Sequence, residues 1–465
     1  MIHQFHPSIL REYDIRGVVG ETLFEADAHA IGRCFATILR QSGGRKAAVG
    51  FDGRLSSPML EQALVAGLTA GGVDVVRIGL AATPMLYFAE ASAEDVQGGI
   101  QVTGSHNPAD HNGFKMVLGG RPFFGADIRR LGAMAAGGSA AAERDEAAGH
   151  IEPREVLGAY VDRLLEGLAG VHADHLGALR IGWDAGNGAA GPALELLASR
   201  LPGEHHLLYS EVDGRFPNHH PDPTVEENLA DLRALVAAKN LDFGVAFDGD
   251  ADRMGVVDAR GRVIDADQIL TIYARDVLAR CPGATVVADV KASRLVFDTV
   301  RALGGRAEMA PSGHSHIKSR MKATGALLGG ETSGHFFLAD DYYGFDDGLY
   351  AAVRLIAATA RLGAPVTALR DAMPAMHNTP ELRFAVPEAR KFAAVEEVRA
   401  RLVEVGEKVN ALDGVRVDTP DGWWLLRASN TQEALTARAE SDSAEGLGRL
   451  VAEIDRQLAL SGLSR

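Results

Sequence analysis

The chain repeats one pattern of apolar and polar positions three times. In each copy an apolar run ends at an aspartate, at Asp52, Asp184 or Asp289, and a polar turn and an amphipathic stretch follow. An apolar run that ends in turn residues and leads into an amphipathic stretch is typical of a strand that feeds a helix. The pattern predicts three such helices, at about 58–71, 191–201 and 293–304.

A second strand and then a third apolar run are predicted after each of these helices. Each third run ends in a polar loop, and the three loops are centred on Ser105, Asp248 and Glu331. This order predicts three copies of one α/β unit with mixed sheets. In such sheets ligands gather at the carboxyl ends of strands, so the three loops converge if the three units face a shared cleft. The second strands are predicted near 73–79, 205–211 and 306–310, and the third runs at 99–103, 243–247 and 326–329.

The last part of the chain has a different pattern, which predicts an antiparallel sheet covered by helices. Helical periodicity runs from Lys391 to about Val409, and a last helix is predicted near 443–460. Short apolar runs between these two helices predict strands at 415–417, 423–427 and 434–438.

The predicted fold class is therefore α/β, with three similar mixed α/β domains plus a smaller C-terminal α+β domain around a central cleft. In chain order the domains would carry the Ser105 loop, the Asp248 loop, the Glu331 loop and a loop after Arg427. They are predicted to span 1–152, 153–258, 259–373 and 374–465, with linkers near 151–153, 257–261 and 372–374.

Composition and charge exclude several classes of protein. The 465 residues are 46% hydrophobic and 23% charged, which is typical of a globular protein and not of a disordered one. The net charge of −15 makes nucleic acid and anionic membranes poor partners, although it does not exclude a small anionic substrate. Cys34 and Cys281 lack metal-site spacing and fit a reducing compartment. No signal peptide and no apolar run of about 18 residues is evident, so we expect a cytoplasmic protein without a membrane partner.

The most specific local signal is the acidic loop at 248–253. Asp248, Asp250 and Asp252 can direct three carboxylates to one side, where they repel each other unless a cation lies among them. Oxygen ligands of this kind suit Mg²⁺ or Ca²⁺. An EF-hand is excluded, because its sixth position would be Arg253 instead of glycine and its twelfth Ala259 instead of glutamate. The alternative is a solvated acidic turn after a strand.

The loop at 103–108 is less specific. Ser105 follows a glycine at the end of a predicted strand, where its hydroxyl could be an exposed nucleophile, but the Gly-x-Ser-x-Gly pattern is missing. The same residues could instead form a helix cap or an Asn-Pro turn. Lys115 could donate a proton or bind phosphate near this loop, or it could be a surface lysine.

Two further loops carry polar groups that suit a sugar phosphate. The loop at 330–335 offers the carboxylate of Glu331, a hydroxyl and the imidazole of His335 to vicinal sugar hydroxyls, although a helix cap has the same composition. The loop at 427–433 offers Arg427, hydroxyls and turn N–H groups as a cradle for an anion, although a polar hairpin loop is the alternative.

Other polar residues could reach the same cleft. Near the start of the chain Arg11 could be structural and Arg16 could face a ligand, and in the loop at 312–318 His314 is the candidate while His316 could lie at the surface. A nucleophile, a metal triad, a sugar loop and a phosphate cradle in four predicted domains together indicate phosphoryl transfer on a sugar phosphate. No P-loop and no protein-kinase motif is present, so ATP is not the evident donor.

These motifs give the chain a resemblance to a known family. The chain resembles the α-D-phosphohexomutases from end to end, and within them the bacterial phosphomannomutase/phosphoglucomutase group. The family implies four domains around a deep cleft, three of them alike. The resemblance is carried by Glu-Tyr-Asp-Ile-Arg-Gly at 12–17, Thr-Gly-Ser-His-Asn-Pro at 103–108, Asp-Gly-Asp-Ala-Asp-Arg at 248–253, Gly-Glu-Thr-Ser-Gly-His at 330–335 and Arg-Ala-Ser-Asn-Thr at 427–431.

The resemblance implies a role for each residue of these motifs. Ser105 would be phosphorylated, and one oxygen of its phosphate would complete the Mg²⁺ site. His106 and Lys115 are candidates for proton transfer and phosphate stabilisation, and Arg253 would support the metal loop. Glu331 and Ser333 would bind the 3- and 4-hydroxyls of the sugar. The remaining implied residues are Asp248, Asp250 and Asp252 for Mg²⁺, Tyr13, Arg16, Lys291, His314, Thr332, Gly334 and His335 for the substrate, and Arg427, Ser429, Asn430 and Thr431 for the phosphate that is not reacting.

The implied reaction is reversible phosphoryl transfer between C1 and C6 of glucose and mannose phosphates. Mg²⁺ is the implied cofactor, glucose 1,6-bisphosphate (or mannose 1,6-bisphosphate) the intermediate and activator, and a monomer or small homo-oligomer is expected. Thr332 departs from both the Met typical of this group and the Gln typical of phosphoglucosamine mutases, so glucosamine phosphate stays an alternative substrate. The competing hypotheses are a metal-dependent sugar phosphatase and a sugar-phosphate sensor without catalytic activity.

Overall fold

The computed structural model describes residues 2–138, 148–429 and 433–465. In this part of the chain four β-sheets follow each other, and helices cover them. The first three sheets repeat one arrangement, and the fourth differs from them, as the sequence pattern predicts. In the same described residues, no helix has the length and apolar character that would let it cross a membrane.

The first sheet is mixed and has the strand order β1-β5-β4-β2-β3-β6. The helix predicted at 58–71 and the strand predicted at 73–79 are confirmed within about one residue. The strands are β1 (Ile15–Val18), β2 (Lys46–Phe51), β3 (Asp74–Leu80), β4 (Gly98–Val102), β5 (His111–Leu118) and β6 (Ile151–Pro153). The helices are α1 (Glu25–Gln41), α2 (Ser57–Ala70), α3 (Thr83–Ala91) and α4 (Ala126–Ala136).

The second sheet has the order β11-β10-β9-β7-β8, and the third has the order β13-β12-β14-β15. The strands are β7 (Arg180–Asp184), β8 (Glu204–Leu208), β9 (Phe243–Phe247), β10 (Met254–Asp258), β11 (Val263–Ile264), β12 (Thr285–Asp289), β13 (Arg306–Ala310), β14 (Leu328–Gly330) and β15 (Phe336–Leu338). The helices are α5 (Leu157–Leu165), α6 (Ala173–Ala178), α7 (Gly191–Arg200), α8 (Ala230–Lys239), α9 (Ala266–Arg280), α10 (Arg294–Ala302), α11 (His314–Thr324), α12 (Gly348–Leu362) and α13 (Val366–Asp371).

The repeat is visible in the pairing of the strands. In each unit the first strand lies between the second and the third and is parallel to both, and the third pairs with an antiparallel strand that follows it. The connection from the third strand to its antiparallel partner is therefore the same place in each unit. Those three connections carry Ser105, Asp248 and Glu331, so the fold confirms the repeat that the sequence predicts.

The fourth sheet is antiparallel and has the order β16-β21-β20-β19-β18, with β17 also paired to β21. The helix predicted to reach about Val409 ends at Glu404, because Gly406 (φ +85°) turns the chain back into a short strand. The strands are β16 (His377–Asn378), β17 (Leu382–Ala385), β18 (Val409–Asn410), β19 (Val415–Thr419), β20 (Gly422–Ala428) and β21 (Ala434–Ser441). The helices are α14 (Glu388–Glu404) and α15 (Ala444–Leu460).

Two predicted linkers lie inside sheets. The segment at 151–153 forms β6, which pairs parallel to β3 at the edge of the first sheet. The segment at 257–261 ends β10 and turns toward β11. The predicted boundary at 152/153 therefore falls within a strand, and the boundary at 258/259 falls within the hairpin of β10 and β11. The division into domains stays a prediction.

The buried apolar side chains show how the units are joined. One continuous cluster extends through the first three units and includes Leu86, Trp183 and Tyr350. The fourth unit has a core of its own around Trp424. It contacts the third unit through a separate apolar cluster of Val290, Trp423 and Leu425. Polar contacts add to it, since Arg416 donates to the carbonyl oxygen of Val290 at 2.6 Å.

Candidate active site

The loop between β4 and β5 holds Ser105 in an unusual backbone conformation. Ser105 is almost fully buried and has a φ of +49°, in the left-handed region that residues other than glycine rarely adopt. Its N–H donates to Thr103 Oγ1 at 2.9 Å. Its hydroxyl donates to Asp248 Oδ2 at 2.8 Å, and His106 Nδ1 lies 3.2 Å from the same oxygen. The loop therefore directs the hydroxyl at the acidic loop of the second unit.

The acidic loop after β9 brings three carboxylates together. Asp248, Asp250 and Asp252 are fully buried, and one oxygen of each lies within 4.8 Å of the others. Burial, followed by the charges of Asp250 and Asp252, raises the pKa of Asp248. Among the described residues, Asp250 Oδ1 is buried without a hydrogen-bond partner, whereas Asp252 Oδ1 lies 3.3 Å from His335 Nε2. A buried carboxylate oxygen without a donor, next to two further carboxylates, suits a hard divalent cation, so the residues present fit a metal.

Two residues of the first unit contact the same carboxylates. Lys115 on β5 donates from Nζ to Asp250 Oδ2 at 2.7 Å and also pairs with Asp252. Burial lowers the pKa of Lys115, but the three carboxylates raise it by more, so the amine is a cation. Thr83, at the start of α3, donates from Oγ1 to Asp250 Oδ2 at 2.5 Å. The acidic loop is therefore held from the neighbouring unit and not by its own unit alone.

The loop at 330–335 forms a connected set of charged groups. Glu331 Oε1 accepts the N–H of Gly313 at 2.6 Å, and its other oxygen lies 3.4 Å from His335 Nδ1. Burial raises the pKa of Glu331, but His335 and Lys291 lower it by more, to about 2. Glu331 is therefore an anion that faces the cleft.

His335 carries the opposite charge. Burial lowers the pKa of His335, but Asp252, 3.3 Å from its Nε2, contributes most to raising it to about 9. Ser333 Oγ lies 2.9 Å from its Nδ1. The side chain of Arg253 approaches the same ring, with its Nε 3.3 Å from His335 Nε2. With the ring protonated this contact joins two N–H donors, so we do not count it as a hydrogen bond.

His314 at the start of α11 stacks on His335, with their ring centroids 5.5 Å apart. His314 Nδ1 lies 3.1 Å from the buried Asp346 Oδ2. Asp346 also accepts a hydrogen bond from Lys318 Nζ at 2.7 Å. Tyr13 closes this corner, since its hydroxyl donates to the carbonyl oxygen of Ser312 at 2.7 Å.

The fourth unit supplies a positive group to the cavity that the loop at 330–335 also lines. Arg427 donates from Nε to Asp413 Oδ2 at 3.0 Å and is nearly buried. Ser429 lies beside it on the wall of the cavity. Asn430 and Thr431, which were predicted to bind the same phosphate, lie outside the described residues. Lys291 donates to Glu381 Oε2 at 3.3 Å and so links the third unit to the fourth.

All four units line one cavity of about 270 Å³. It continues into a wider part of the cleft, of about 1270 Å³, where Thr332 lies. The three aspartates lie beneath the cavity floor and contact Ser105 and Lys115. The predicted residues on the cavity wall are Tyr13, Arg16, Ser105, His106, Lys115, Arg253, Lys291, His314, Glu331, Ser333, His335, Arg427 and Ser429.

Gly334 is the predicted substrate-binding residue that the structure places elsewhere. It lines neither part of the cleft, and its N–H donates to the carbonyl oxygen of Glu331 at 3.0 Å. Its φ is +86°, and a Cβ atom at this position would lie 2.7 Å from the carbonyl oxygen of Met254. Gly334 thus forms the turn of the sugar loop against the second unit.

The cavity wall also holds residues that the sequence motifs did not assign to it. Asp14 and Asn107 lie within two of those motifs, and Arg16 donates to Asn107 Oδ1 at 2.8 Å. Glu381 and Arg383 follow no motif, so only the fold brings them here. Arg11, for which the sequence analysis proposes a structural role, also lines the wall. The pair formed by Asp52 and Arg54 lies directly beneath the Ser105 loop, although the sequence pattern assigned this segment only to a turn.

Comparison with known proteins gives a consistent result. Four family models, described as phosphoglucomutase/phosphomannomutase alpha/beta/alpha domains I, II and III and C-terminal domain, match residues 7–139, 158–261, 265–376 and 381–457. A phosphoglucomutase of Neisseria gonorrhoeae is 43% identical over 95% of both chains. A phosphomannomutase/phosphoglucomutase of Pseudomonas aeruginosa is 42% identical over 97% of this chain and 95% of its own.

A solved structure agrees with these matches over nearly the whole fold. The crystal structure of a phosphoglucomutase/phosphomannomutase family protein from Burkholderia thailandensis has a TM-score of 0.90 and 41% identity, and the match covers 99% of this chain and 98% of that one. Motifs, cavity and similarity thus point the same way, and the chain belongs to the phosphoglucomutase/phosphomannomutase family.

Proposed function

We propose that the protein catalyses the reversible transfer of a phosphoryl group between C1 and C6 of hexose phosphates. One observation carries this conclusion: a single cavity joins the Ser105 hydroxyl, the sugar loop at Glu331 and the cationic group of Arg427. Its walls can therefore hold a hexose with one phosphate at Ser105 and the other at the fourth unit. The relatives are named for glucose and mannose phosphates, and we propose the same two substrates here.

The reaction has two half-steps that mirror each other. The first half-step starts from phosphorylated Ser105. The bond between its phosphorus and Ser105 Oγ breaks, a bond from the phosphorus to a free sugar hydroxyl forms, and that hydroxyl loses its proton. The product is a hexose 1,6-bisphosphate. After the sugar turns round in the cleft, Ser105 Oγ loses its proton and attacks the phosphorus of the other phosphate. The bond from that phosphorus to the sugar oxygen breaks, this oxygen takes up a proton, and the serine is phosphorylated again. The 1,6-bisphosphate of glucose or mannose is therefore intermediate and activator in this proposal.

Residues around Ser105 would manage charge and protons. Burial, then the positive charges of Arg253 and Arg16, lowers the pKa of His106, so its imidazole is neutral and can accept a proton. Lys115 is a cation next to the same loop and would neutralise charge on the transferring phosphoryl group. Glu331 as an anion would accept hydrogen bonds from sugar hydroxyls, which fixes the ring between the two phosphate positions.

A divalent cation belongs to this proposal, and we propose Mg²⁺. Asp248, Asp250 and Asp252 would hold it, together with an oxygen of the phosphorylated Ser105. When bound, the ion supplies positive charge that stabilises the transferring phosphoryl group. In this arrangement Arg253 supports the loop, because its backbone N–H donates to Asp248 Oδ1 at 3.1 Å.

Phosphorus NMR provides the test. Glucose 1-phosphate, mannose 1-phosphate and glucosamine 1-phosphate would each be incubated with the protein, Mg²⁺ and a trace of glucose 1,6-bisphosphate. We expect the first two to become 6-phosphates and the third to react much more slowly. Dominant glucosamine turnover would move the substrate assignment to phosphoglucosamine, and free phosphate without isomer formation would replace the mutase by a phosphatase.

We further propose that the protein acts in the cytoplasm as a monomer or small homo-oligomer. Its two cysteines are both free thiols, and Cys34 is buried. The proposed domains carry, in chain order, the phosphoserine, metal, sugar and phosphate loops, and we place their boundaries near those predicted from the sequence. Gel filtration with light scattering would measure the oligomeric state.

A further inference from the structure

We propose that Arg54 is the positioning residue that holds the nucleophile loop in its reactive shape. Arg54 follows β2 and lies beneath the loop, not on the wall of the substrate cavity. Its effect on the reaction would therefore pass through the backbone that carries Ser105. The kinetic part of this inference rests on the proposed function, whereas the structural part does not.

The hydrogen bonds of Arg54 use its whole guanidinium group. Nε donates to Asp52 Oδ2 at 3.1 Å. Nη2 donates to the carbonyl oxygens of Ser105 at 2.7 Å and Asn107 at 2.6 Å. Nη1 donates to the carbonyl oxygens of His111 at 3.0 Å and Pro108. A guanidinium has five N–H groups, so each one has an acceptor. Three of the five acceptors belong to the loop between β4 and β5, and a fourth belongs to the first residue of β5.

Asp52 completes the clamp from the acceptor side. Its Oδ2 accepts the hydroxyl of Thr103 at 2.8 Å and the N–H of Gly104 at 3.1 Å. Its Oδ1 accepts the backbone N–H of Arg54 at 3.0 Å and the hydroxyl of Ser57 at 2.5 Å. The buried ion pair thus binds donors at the start of the loop and carbonyl oxygens along the rest of it. Charge-assisted hydrogen bonds of this kind are stronger than neutral ones.

The guanidinium of Arg54 lies in a narrow space between Gly104 and the ring of Phe216. A Cβ atom on Gly104 would lie 2.5 Å from Arg54 Cζ, so the loop can pass over the group only as glycine. On the side of the second unit, the ring of Phe216 covers Cζ at 5.2 Å. Arg54 is 1% exposed. A lysine has three N–H donors on one atom and cannot reproduce a planar set of five.

This clamp explains how Ser105 keeps its strained backbone. A residue other than glycine with positive φ persists only where the surroundings fix it. Arg54 binds the carbonyl oxygen of Ser105 itself, and the loop geometry then directs Oγ toward Asp248. Without the clamp, we expect the loop to relax and the hydroxyl to leave this alignment. A misplacement of about 1 Å can lower a rate about 100-fold.

The experiment compares Arg54→Lys with Arg354→Lys. Arg354 is equally buried, bonds to Asp340 and Asp276, and lies outside the cavity, so it controls for the loss of a buried guanidinium. We expect Arg54→Lys to lower kcat about 100-fold with KM for glucose 1-phosphate changed by less than about threefold. Arg354→Lys should lower the melting temperature and keep kcat. A kcat of Arg54→Lys within about threefold of wild type would overturn the proposal.

Hydrogen exchange gives a readout that needs no mutase activity. In Arg54→Lys the amides of 103–111 should exchange faster while those of β2 and β4 keep their protection, and Arg354→Lys should leave 103–111 unchanged. If amide exchange were accelerated equally along the whole chain in both variants, Arg54 would stabilise the fold in general and not the loop, and the inference would be overturned. Should Arg54→Lys fail to fold, Gly104→Ala displaces the guanidinium while Arg54 stays, and it should give the same local exchange and the same loss of kcat. Wild-type exchange at 103–111 in Gly104→Ala would contradict the proposal.

Discussion

The side-chain oxygens of Ser105 and Asp248 lie 2.8 Å apart, although 143 residues separate the two in the sequence. The hydroxyl comes from the first α/β unit and the carboxylate from the second. The three carboxylates and the proposed nucleophile therefore lie together at the boundary between the first and second units. For substitutions close to this boundary, we therefore expect changes in mutase turnover that differ in size from the changes in unfolding free energy.

Replacing Ser105 by alanine should abolish mutase turnover. In the proposed mechanism the substitution removes the atom that accepts the phosphoryl group. It also removes one hydrogen bond, which costs about 1 kcal/mol of unfolding free energy. Phosphorus NMR of glucose 1-phosphate conversion and thermal unfolding measure both effects. The exposed Ser199→Ala is the control. Turnover of Ser105→Ala near the wild-type level would exclude a phosphoserine mechanism.

Asp248→Asn should remove the response of stability to Mg²⁺. Burial, followed by the charges of Asp250 and Asp252, disfavours the Asp248 carboxylate when no cation is bound, so the metal-free variant should be at least as stable as metal-free wild type. At a concentration of 100 Kd, Mg²⁺ should stabilise the wild type by about 2.7 kcal/mol. Calorimetry with EDTA and then with Mg²⁺ measures this, with the exposed Asp174→Asn as control. An equal gain in Asp248→Asn would rule out the acidic loop as the Mg²⁺ site.

Asp346→Asn should lower kcat/KM by about tenfold or more. The carboxylate lies 3.1 Å from His314 Nδ1 and fixes this imidazole on the cavity wall. Lys318 is the other partner of Asp346 and does not line the cavity. Lys318→Gln should therefore lower kcat/KM less than Asp346→Asn does. Steady-state kinetics of both variants provide the comparison. Equal losses of kcat/KM in the two variants would contradict a role of Asp346 that passes through His314.

Asp347 should make stability depend on pH. Burial raises its pKa from 3.8 to about 7, against the opposing effect of the Tyr350 N–H and the Tyr342 and Tyr160 hydroxyls. Between about pH 4 and 7 the folded protein therefore holds a proton that the unfolded chain releases. Stability from this group falls as pH rises through that window, by up to about 1.4 kcal/mol per pH unit.

Urea unfolding of wild type and Asp347→Asn near pH 5 and near pH 8 measures this effect. The variant has no proton to release at this position, so we expect it to gain stability relative to wild type on going from the lower pH to the higher one. If the difference in unfolding free energy between wild type and Asp347→Asn were the same near pH 5 and near pH 8, a raised pKa for Asp347 would be contradicted.

The repeated units were predictable because their pattern is local. An apolar run, an aspartate and a turn recur before each of the helices α2, α7 and α10, and the structure has the same order. The edge strand β6 was missed because it has three exposed residues and depends on pairing with β3. The end of α14 was placed too late because helical periodicity continues beyond Gly406, where the backbone turns.

The site was predictable where motifs carry it and not where the fold carries it. Arg54 stands two residues after Asp52, as Lys291 stands two residues after Asp289, so the repeat aligns these two cations. Lys291 lines the cavity, whereas Arg54 turns beneath the nucleophile loop and is covered by Phe216. No local sequence pattern shows that one side chain faces the cavity and the other lies beneath the loop, because the residue that covers Arg54 comes from the second unit. Glu381 depends in the same way on how the fourth unit lies against the third.

The contact between Ser105 and Asp248 also has a consequence for the chain during its synthesis. At about 5–20 residues per second, a ribosome needs roughly 7–29 s to add the 143 residues between them. During this interval the growing chain contains the serine but not its acidic partners, and for most of it Phe216, which covers Arg54, has not been added either. The contacts of Ser105 and Lys115 with the acidic loop therefore form only after the second unit has been synthesised and has packed against the first.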